Sequence, residues 1–414
     1  MAILFQSLTL IESSGIKDPA DFIYDEKGLR KHEDVSGFLD QIEVIDCSGF
    51  LASKGWVDLK CFNGEPGLEY KEDLESLGDG LAKSGFVKSV LLPNTDPVIQ
   101  NKNDVEFLKT KTSNFFSDII LQAALTKDAK GEDFTEILDL ANSGVKVFGD
   151  GLRPLSNSDR LMKALQYLQK FEGIVFDHSY DPLLAIFGQM HEGEASTRLG
   201  MKGIPSLAEE VAIQKNIEIL KYTGGRIHFQ TVSSRKSIDL IREAKKDGLY
   251  VTADISLYQL LFSDEDLVTF DTNMKVKPPF RGRDERKALI EGLIDGTIDA
   301  IVSNHRPQDF DAKHIEFDYA GHGMIGLQTF LPGLIQLEKE LGWPLLIDKI
   351  TDGPNQVLGQ NDNDTLVIFD PSETWTFNSK NNTSKSNNSP WFGKELTGKV
   401  KYVINGEKYI KIDE

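Results

Sequence analysis

Short apolar runs alternate with amphipathic segments through the middle of the chain, from residue 55 onward. Each apolar run has the length of a buried strand, and the segments between them repeat apolar residues at helical spacing. The predicted strands lie at residues 56–62, 87–92, 119–124, 145–148, 174–178, 226–232, 250–255 and 300–303. The predicted helices between them lie at residues 71–84, 133–142, 158–170, 207–222, 235–247 and 283–295. This alternation is typical of an α/β fold of the (β/α)8 TIM-barrel type.

The two ends of the chain have a different pattern, in which strands follow one another without helices between them. A strand is predicted at residues 43–46, and four more at 365–370, 374–377, 399–403 and 407–412, with an Asn-Gly turn at 405–406. Strands at both ends suggest that the termini meet in one sheet-forming unit. We therefore expect a composite β-sandwich domain from residues 1–53 and 360–414, and the barrel in residues 54–359.

The first barrel strand carries polar residues where a barrel enzyme would have its active site. Alternation places Asp58, Lys60 and Phe62 on one face, and the strand runs into a turn at residues 64–67. In a (β/α)8 barrel, catalytic and binding residues lie at the carboxyl ends of the strands. Lys60 and its neighbours on this strand are therefore candidate residues of a functional site.

The composition of the chain disfavours some classes of binding partner. The chain has 414 residues, a net charge of −19, and 40% hydrophobic and 27% charged residues. These are globular values, and the negative charge disfavours nucleic acid and anionic membranes as partners. Two cysteines are too few for a disulfide framework. With no signal peptide and no apolar run of about 18 residues, we expect a cytoplasmic protein.

Several motifs, in order, resemble the dihydroorotase branch of the amidohydrolase superfamily. Residues 58–67 are similar to that family's Asp-x-His-x-His-x-Arg-Glu-Pro-Gly, with Asp58 and Glu65-Pro66-Gly67 retained. Residues 93–97 resemble its Pro-Asn-Thr turn, and residues 275–281 resemble the approach to strand eight. The resemblance covers nearly the whole chain and implies an amidohydrolase-type barrel and a role in pyrimidine biosynthesis.

The resemblance also implies a metal centre. Active members hold two zinc ions at the barrel mouth through histidines and carboxylates. The metals lower the pKa of a bridging water, which opens the dihydroorotate ring in one direction of the reaction.

Most positions that correspond to those ligands hold other residues. Lys60 and Phe62 replace the paired histidines, Thr231 replaces a later histidine, and Asn304 replaces the catalytic aspartate. A catalytic zinc site needs about three protein donors, and phenylalanine has no donor atom. We therefore expect no confident catalytic residue and no cofactor.

Two residues at ligand positions remain, Asp150 and His178. At most one weakly held zinc ion is expected on this pair. A second expectation concerns charge, because a buried carboxylate without a counter-charge is costly. Lys60 and Asp150 are predicted to form an ion pair that replaces the metal structurally.

The expected substrate contacts are only partly retained. Asn94 keeps the family's asparagine, whereas Lys277 and Gln308 replace an asparagine and a histidine, and Gly64 replaces the carboxylate-binding arginine. His305, beside Asn304, is interpreted as a structural relic.

We interpret the chain as a dihydroorotase-like protein without catalysis. Inactive members of this branch associate with aspartate carbamoyltransferase, so the resemblance implies that partner; a homodimer is a second expectation. One alternative is an active dihydroorotase, or another cyclic-amide hydrolase, with an atypical metal site. A second alternative is a small-anion sensor that uses the emptied pocket, with Lys60, Asn94 and Lys277 as its contacts.

Overall fold

The computed structural model describes residues 2–26, 28–31, 42–360 and 364–412. Parts of the predicted terminal domain, residues 32–41 and 361–363, lie outside the described residues. The chain begins with the strands β1 (Ile3–Glu12), β2 (Gly15–Ile16), β3 (Ala20–Asp25), β4 (Gly28–Lys31), β5 (Glu43–Asp46) and β6 (Leu51–Ser53).

Eight parallel strands follow and form the barrel sheet. They are β7 (Trp56–Cys61), β8 (Phe86–Leu91), β9 (Asp118–Ala123), β10 (Val147–Phe148), β11 (Ile174–Asp177), β14 (Ile227–Phe229), β15 (Val251–Ser256) and β16 (Ala300–Val302). A separate pair, β12 (Met190–His191) and β13 (Gly203–Ile204), lies between β11 and β14. All eight strands expected for the barrel are therefore confirmed, each within a few residues of its predicted bounds.

Helices surround and cap this sheet. They are α1 (Leu74–Lys83), α2 (Lys102–Thr112), α3 (Ile137–Asn142), α4 (Ser158–Leu168), α5 (Glu194–Leu199), α6 (Leu207–Thr223), α7 (Arg235–Lys246), α8 (Leu257–Leu261), α9 (Arg283–Ile294), α10 (Phe310–Lys313), α11 (Phe330–Leu341), α12 (Trp343–Asp348) and α13 (Asp352–Leu358). Within the described ranges, no helix combines the length and the apolar character that crossing a membrane requires.

The last strands join the first ones in a second sheet. They are β17 (Thr365–Thr376), β18 (Glu395–Asn405) and β19 (Lys408–Lys411). β17 pairs antiparallel with β6, which pairs parallel with β1, so the described strands of the two terminal segments belong to one sheet of nine strands. Trp56 connects this sheet to the barrel, because its fully buried ring lies against Phe86 and Phe330 of the barrel and Phe369 of β17.

The barrel closes between its first and last strands. The Phe62 amide donates to the His305 carbonyl at 2.9 Å, and Cys61 bridges to His305. Asp58, which is fully buried on β7, accepts a hydrogen bond from the Ser303 amide at 3.0 Å and another from the Ser303 hydroxyl. This closure fixes the carboxyl end of β7 in the barrel mouth, beside the residues that follow β16.

Candidate active site at the barrel mouth

A cavity of about 380 Å³ lies at the carboxyl ends of the barrel strands. Its wall includes Phe62 after β7, Asn94 after β8, Tyr180 after β11 and Arg306 after β16. Lys277 contributes from the segment between β15 and β16. The cavity therefore occupies the place where barrel proteins bind their ligands.

Lys60 lies inside the barrel at the level of the strand ends and is 1% exposed. Its ammonium donates to the Thr231 hydroxyl at 2.7 Å, and its Nζ lies 3.4 Å from His178 Nδ1. The Thr231 hydroxyl in turn lies 3.1 Å from the same His178 nitrogen. Lys60, Thr231 and His178 thus form one buried polar cluster, which we call the Lys60 cluster.

Burial sets the protonation of this cluster. It lowers the pKa of Lys60 to about 7, although the carboxylate of Asp254 opposes the shift. Burial, together with the charge of Lys60, also holds the pKa of His178 well below its usual range. His178 is therefore neutral near pH 7, and its Nδ1 can accept the hydrogen bond from Thr231.

Asp254 and His228 form a second buried pair, which contacts the Lys60 cluster through Thr231. Asp254 accepts from the Thr231 amide at 2.6 Å and contacts His228 Nε2 at 2.8 Å, while His228 Nδ1 lies 2.8 Å from the Thr252 hydroxyl. His228 is fully buried, so it positions Asp254 and does not face the cavity. Thr231 has a φ of 53°, in the left-handed region that residues with a Cβ rarely adopt.

The predicted ion pair between Lys60 and Asp150 is wrong. Asp150 accepts from the amides of Leu125 and Thr126 at 3.0 and 2.9 Å, and from the Thr126 hydroxyl at 2.5 Å. These three donors come from the loop after β9 and satisfy the carboxylate locally. Burial nonetheless raises the pKa of Asp150 to about 6.

The residues after β16 divide between the cavity and the protein interior. Asn304 has a φ of 46°, and its carbonyl accepts from the Tyr258 hydroxyl at 2.8 Å. His305 points away from the cavity: its Nδ1 accepts from the Gly326 amide at 3.2 Å, and its Nε2 lies 3.4 Å from a Glu72 carboxylate oxygen. The interpretation of His305 as a structural relic stays a prediction.

The three residues expected to contact substrate all line the cavity, but two are engaged within the protein. Asn94 donates to the Asp150 carbonyl at 3.0 Å and accepts from the Leu152 amide at 2.7 Å. Gln308 accepts from Lys71 at 3.0 Å and donates to the carbonyl of residue 322 at 2.8 Å. The Lys277 ammonium lies 3.8 Å from the centroid of the Tyr180 ring.

Sequence reasoning missed several residues of the cavity wall, namely Lys71, Arg153, Tyr180 and Arg306. Arg306 directly follows the His305 that the motif comparison singled out. Arg306 was missed although it is next to His305, because the family motif is defined by metal ligands and arginine is not one. Burial lowers the pKa of Arg306 to about 10.

The donor atoms of the Lys60 cluster are an ammonium, a hydroxyl and an imidazole. Across the described part of the chain, no group of three or more His, Cys, Asp or Glu side chains is arranged to hold a metal ion.

Comparison with known proteins identifies the family. The profile of the family described as Dihydro-orotase-like matches residues 50–237. A dihydroorotase from Ruminiclostridium cellulolyticum is 39% identical over 376 residues, which cover 88% of each chain. A dihydroorotase from Geobacter metallireducens is 34% identical over 422 residues, which cover 99% of each chain.

Solved structures agree on the fold. The L-hydantoinase (dihydropyrimidinase) from Arthrobacter aurescens aligns with a TM-score of 0.85 at 20% identity, covering 99% of this chain and 96% of the other. The dihydropyrimidinase from Brevibacillus agri aligns with a TM-score of 0.82 at 17% identity, covering 99% and 95%. The barrel with its terminal sheet is therefore confirmed as the fold class, and the sequence relatives show that the chain belongs to the dihydroorotase family.

Proposed function

We propose that this protein is a non-catalytic dihydroorotase homologue of pyrimidine biosynthesis that has lost the two-zinc centre. One observation carries the proposal: the Lys60 ammonium lies 2.7 Å from the Thr231 hydroxyl and 3.4 Å from His178 Nδ1. By the family resemblance, all three residues stand at ligand positions. The Lys60 side chain thus reaches the other two ligand positions itself.

The donor set does not fit a pair of zinc ions. Zinc binds cysteine, histidine and carboxylate groups, and a catalytic site draws about three of them from the protein. Phe62 has no donor, Thr231 and Asn304 have neutral oxygens, and a protonated Lys60 repels a divalent ion. The Asp150 carboxylate is already hydrogen-bonded to Leu125 and Thr126.

The substrate side supports the same proposal. Gly64 stands where the family has its carboxylate-binding arginine. A Cβ at this position would lie 2.1 Å from the Glu72 carbonyl oxygen and 2.6 Å from that of Leu68. The turn has therefore closed over the space through which an arginine side chain would leave the backbone.

An active dihydroorotase is the second candidate, and one observation favours it. The relatives from Ruminiclostridium cellulolyticum and Geobacter metallireducens carry the name dihydroorotase and are 39% and 34% identical to this chain. An active enzyme here would need an atypical metal site, built on Asp150 and His178.

Turnover separates the two candidates. Dihydroorotate hydrolysis and carbamoyl aspartate cyclisation are measured with added zinc, and the Ruminiclostridium cellulolyticum relative serves as the positive control. We expect no turnover in either direction, because Asn304 cannot act as a carboxylate base. Zinc-dependent turnover that His178→Ala abolishes would establish the active enzyme instead.

The proposed partner is aspartate carbamoyltransferase, and its support is the family resemblance, since inactive members of this branch associate with that enzyme. Size-exclusion chromatography of the two purified proteins tests the association. Co-elution, with a change in carbamoyltransferase activity or stability, is expected. Separate elution at micromolar concentrations of both proteins would remove the scaffold role and leave the loss of catalysis to be judged by the turnover assay.

A further inference from the structure

A second cavity, of about 370 Å³, lies where the barrel meets the terminal sheet. Helices α1 and α11 contribute to its barrel side, and strands β17 and β18 contribute to its sheet side. Among the described residues, none that lines it also lines the cavity at the barrel mouth. Its volume lies within the range of small-molecule sites. We call it the junction cavity.

The charged residues on its wall are mostly cations. Within the described ranges, Lys83, Lys380 and Lys399 line the junction cavity against one carboxylate, that of Asp79. Lys83 pairs with Asp79 at 2.7 Å, and Lys399 pairs with Glu373 at 3.2 Å. The exposed Lys380 ammonium has no ion-pair or hydrogen-bond partner among the described residues. Since the whole chain carries a net charge of −19, this local excess of positive charge favours an anionic ligand.

The sheet side of the wall presents a tryptophan ring. Trp375 is half-buried, and its Nε1 donates to the Gly398 carbonyl at 2.9 Å. An edge contact with Phe377, at 5.8 Å between ring centroids, holds the indole from a second side. Leu331 and Val400, both buried, add apolar surface to the same wall. An indole fixed in this way offers a planar ligand a packing surface at little cost in side-chain entropy.

One polar atom on the wall is unsatisfied. Ser84 caps the carboxyl end of α1 and is 4% exposed. Its Oγ is buried without a hydrogen-bond partner among the described residues. A buried hydroxyl without a partner costs free energy, which a ligand atom bonded to it would recover. Because Ser84 lines the junction cavity, its hydroxyl is available for that hydrogen bond.

We infer that the junction cavity binds a small planar aromatic anion, an aromatic carboxylate or a nucleoside phosphate. The ring packs on Trp375, the anionic group lies beside Lys380, and the Ser84 hydroxyl supplies a hydrogen bond. The site goes beyond the proposed function. It does not depend on whether the chain holds zinc or turns over dihydroorotate.

Residues 381–388 connect the junction cavity to the barrel mouth. On the cavity wall, the Gln328 side chain accepts from the Thr383 amide at 2.8 Å. At the other end of the segment, the Asn388 side chain donates to the carbonyl of Arg306, which lines the barrel mouth, at 3.1 Å. A ligand in the junction cavity therefore contacts one end of a segment whose other end is bonded at the barrel mouth.

Calorimetric titration of the full chain tests the site at constant ionic strength. Indole-3-acetate and adenosine 5′-monophosphate carry a planar ring and an anion, tryptamine carries a ring and a cation, and cyclohexaneacetate carries an anion without a planar ring. We expect at least one of the first two to bind at least about fivefold more tightly than both of the others. The tighter binder identifies the carboxylate or the phosphate. Tryptamine or cyclohexaneacetate binding equally well, or no saturable binding of either aromatic anion at millimolar concentrations, would overturn the proposal.

Variants locate the binding. Trp375→Leu is expected to weaken it at least about fivefold, and Lys380→Gln about two- to fivefold. Lys102→Gln, at a 59% exposed lysine off the cavity wall, and Lys277→Gln, at the barrel mouth, should leave the affinity unchanged. If Trp375→Leu does not fold, the exposed Lys380 carries the test. A loss of affinity in Lys277→Gln alone would place the ligand at the barrel mouth and contradict the site.

Amide hydrogen exchange, with the tighter-binding anion at saturation, tests the connection between the two cavities. We expect slower exchange across residues 381–388, because the ligand contacts the first residues of this segment and reduces its local opening. Unchanged exchange across the segment would show that the ligand lies elsewhere, against the proposal.

Discussion

Lys60 loses its hydration inside the barrel and gains few partners in return. Its ammonium has one hydrogen bond to Thr231 and a longer contact with His178, while the nearby carboxylates of Asp254, Asp177 and Asp58 act on it electrostatically. Burial outweighs these attractions, which is why the Lys60 pKa falls to about 7 from a usual value of 10.5. The folded protein therefore bears a free-energy cost whenever this lysine is protonated.

The pH dependence of stability follows from that shift. Between pH 7 and 10.5 the unfolded chain binds more protons at Lys60 than the folded chain does. Stability contributed by this residue consequently rises with pH through that window, and the cost is greatest below pH 7. Lys60→Met should raise the free energy of unfolding by about 1–4 kcal/mol at pH 6, and by less at pH 9.

Denaturant unfolding of both proteins across this pH range measures the effect. Lys102→Met is the matched control, because the Lys102 side chain is 59% exposed and its removal relieves no burial cost. The control should stay within about 0.5 kcal/mol of the parent at both pH values. A Lys60→Met protein less stable than the parent at pH 6 would show that the ammonium stabilises the barrel.

The turn after β7 is folded tightly on itself. The Leu68 amide donates to the Gly64 carbonyl at 2.7 Å, and the Glu72 amide donates to the Leu68 carbonyl at 3.5 Å. Backbone atoms therefore surround the position of a Cβ at Gly64. The backbone of this turn leaves room for glycine alone at position 64. The geometry of the turn therefore explains why glycine stands where the family resemblance implies an arginine.

Gly64→Ala should accordingly destabilise the protein by about 1–3 kcal/mol. The added methyl group meets backbone carbonyl oxygens, which can move only if the backbone of the turn moves with them. Gly282→Ala is the control, since a Cβ there meets nothing closer than a Glu285 oxygen at 3.5 Å. Its loss should stay below about 1 kcal/mol, as Gly282 is an N-cap. Equal melting temperatures for the two variants would show that the turn is free to open.

Periodicity predicted the elements well where burial is one-sided or complete. Trp56–Cys61 and its seven partner strands are short apolar runs bounded by turns, and each was found. Helix Lys102–Thr112 was not predicted, because only Val105 and Leu108 are buried and its apolar stripe is weak. Burial alone does not explain every miss, because helix Phe330–Leu341 was also not predicted although Phe330, Leu334 and Leu337 are buried.

The contacts within the candidate site were harder to predict from the sequence than the helices and strands. Lys60, Thr231 and His178, which the family motifs single out one by one, lie in contact with one another in the structure. The predicted partner of Asp150 was wrong because the backbone amides of Leu125 and Thr126 donate to its carboxylate. Backbone donors are present in nearly every residue, so the sequence does not indicate which of them will bind a given side chain.

The contacts that hold the fold together are separate from the residues at the mouth of the barrel. The barrel is held by its parallel strands, by the closure between Asp58 and Ser303, and by the contact of Trp56 with the terminal sheet. None of these contacts requires a metal. A dihydroorotase-family barrel can therefore keep its architecture while the residues at its mouth change, because function resides in the site and not in the fold.

The zinc content of the purified protein decides whether it lacks a two-zinc centre. The protein is expressed with zinc supplementation, purified without chelator, and analysed for metal beside the Ruminiclostridium cellulolyticum relative. If the zinc centre is lost, as we propose from the residues at positions 60, 62, 231 and 304, the protein should hold less than about 0.1 equivalent of zinc per chain. One or more equivalents, retained through dialysis and lost from His178→Ala, would contradict the account.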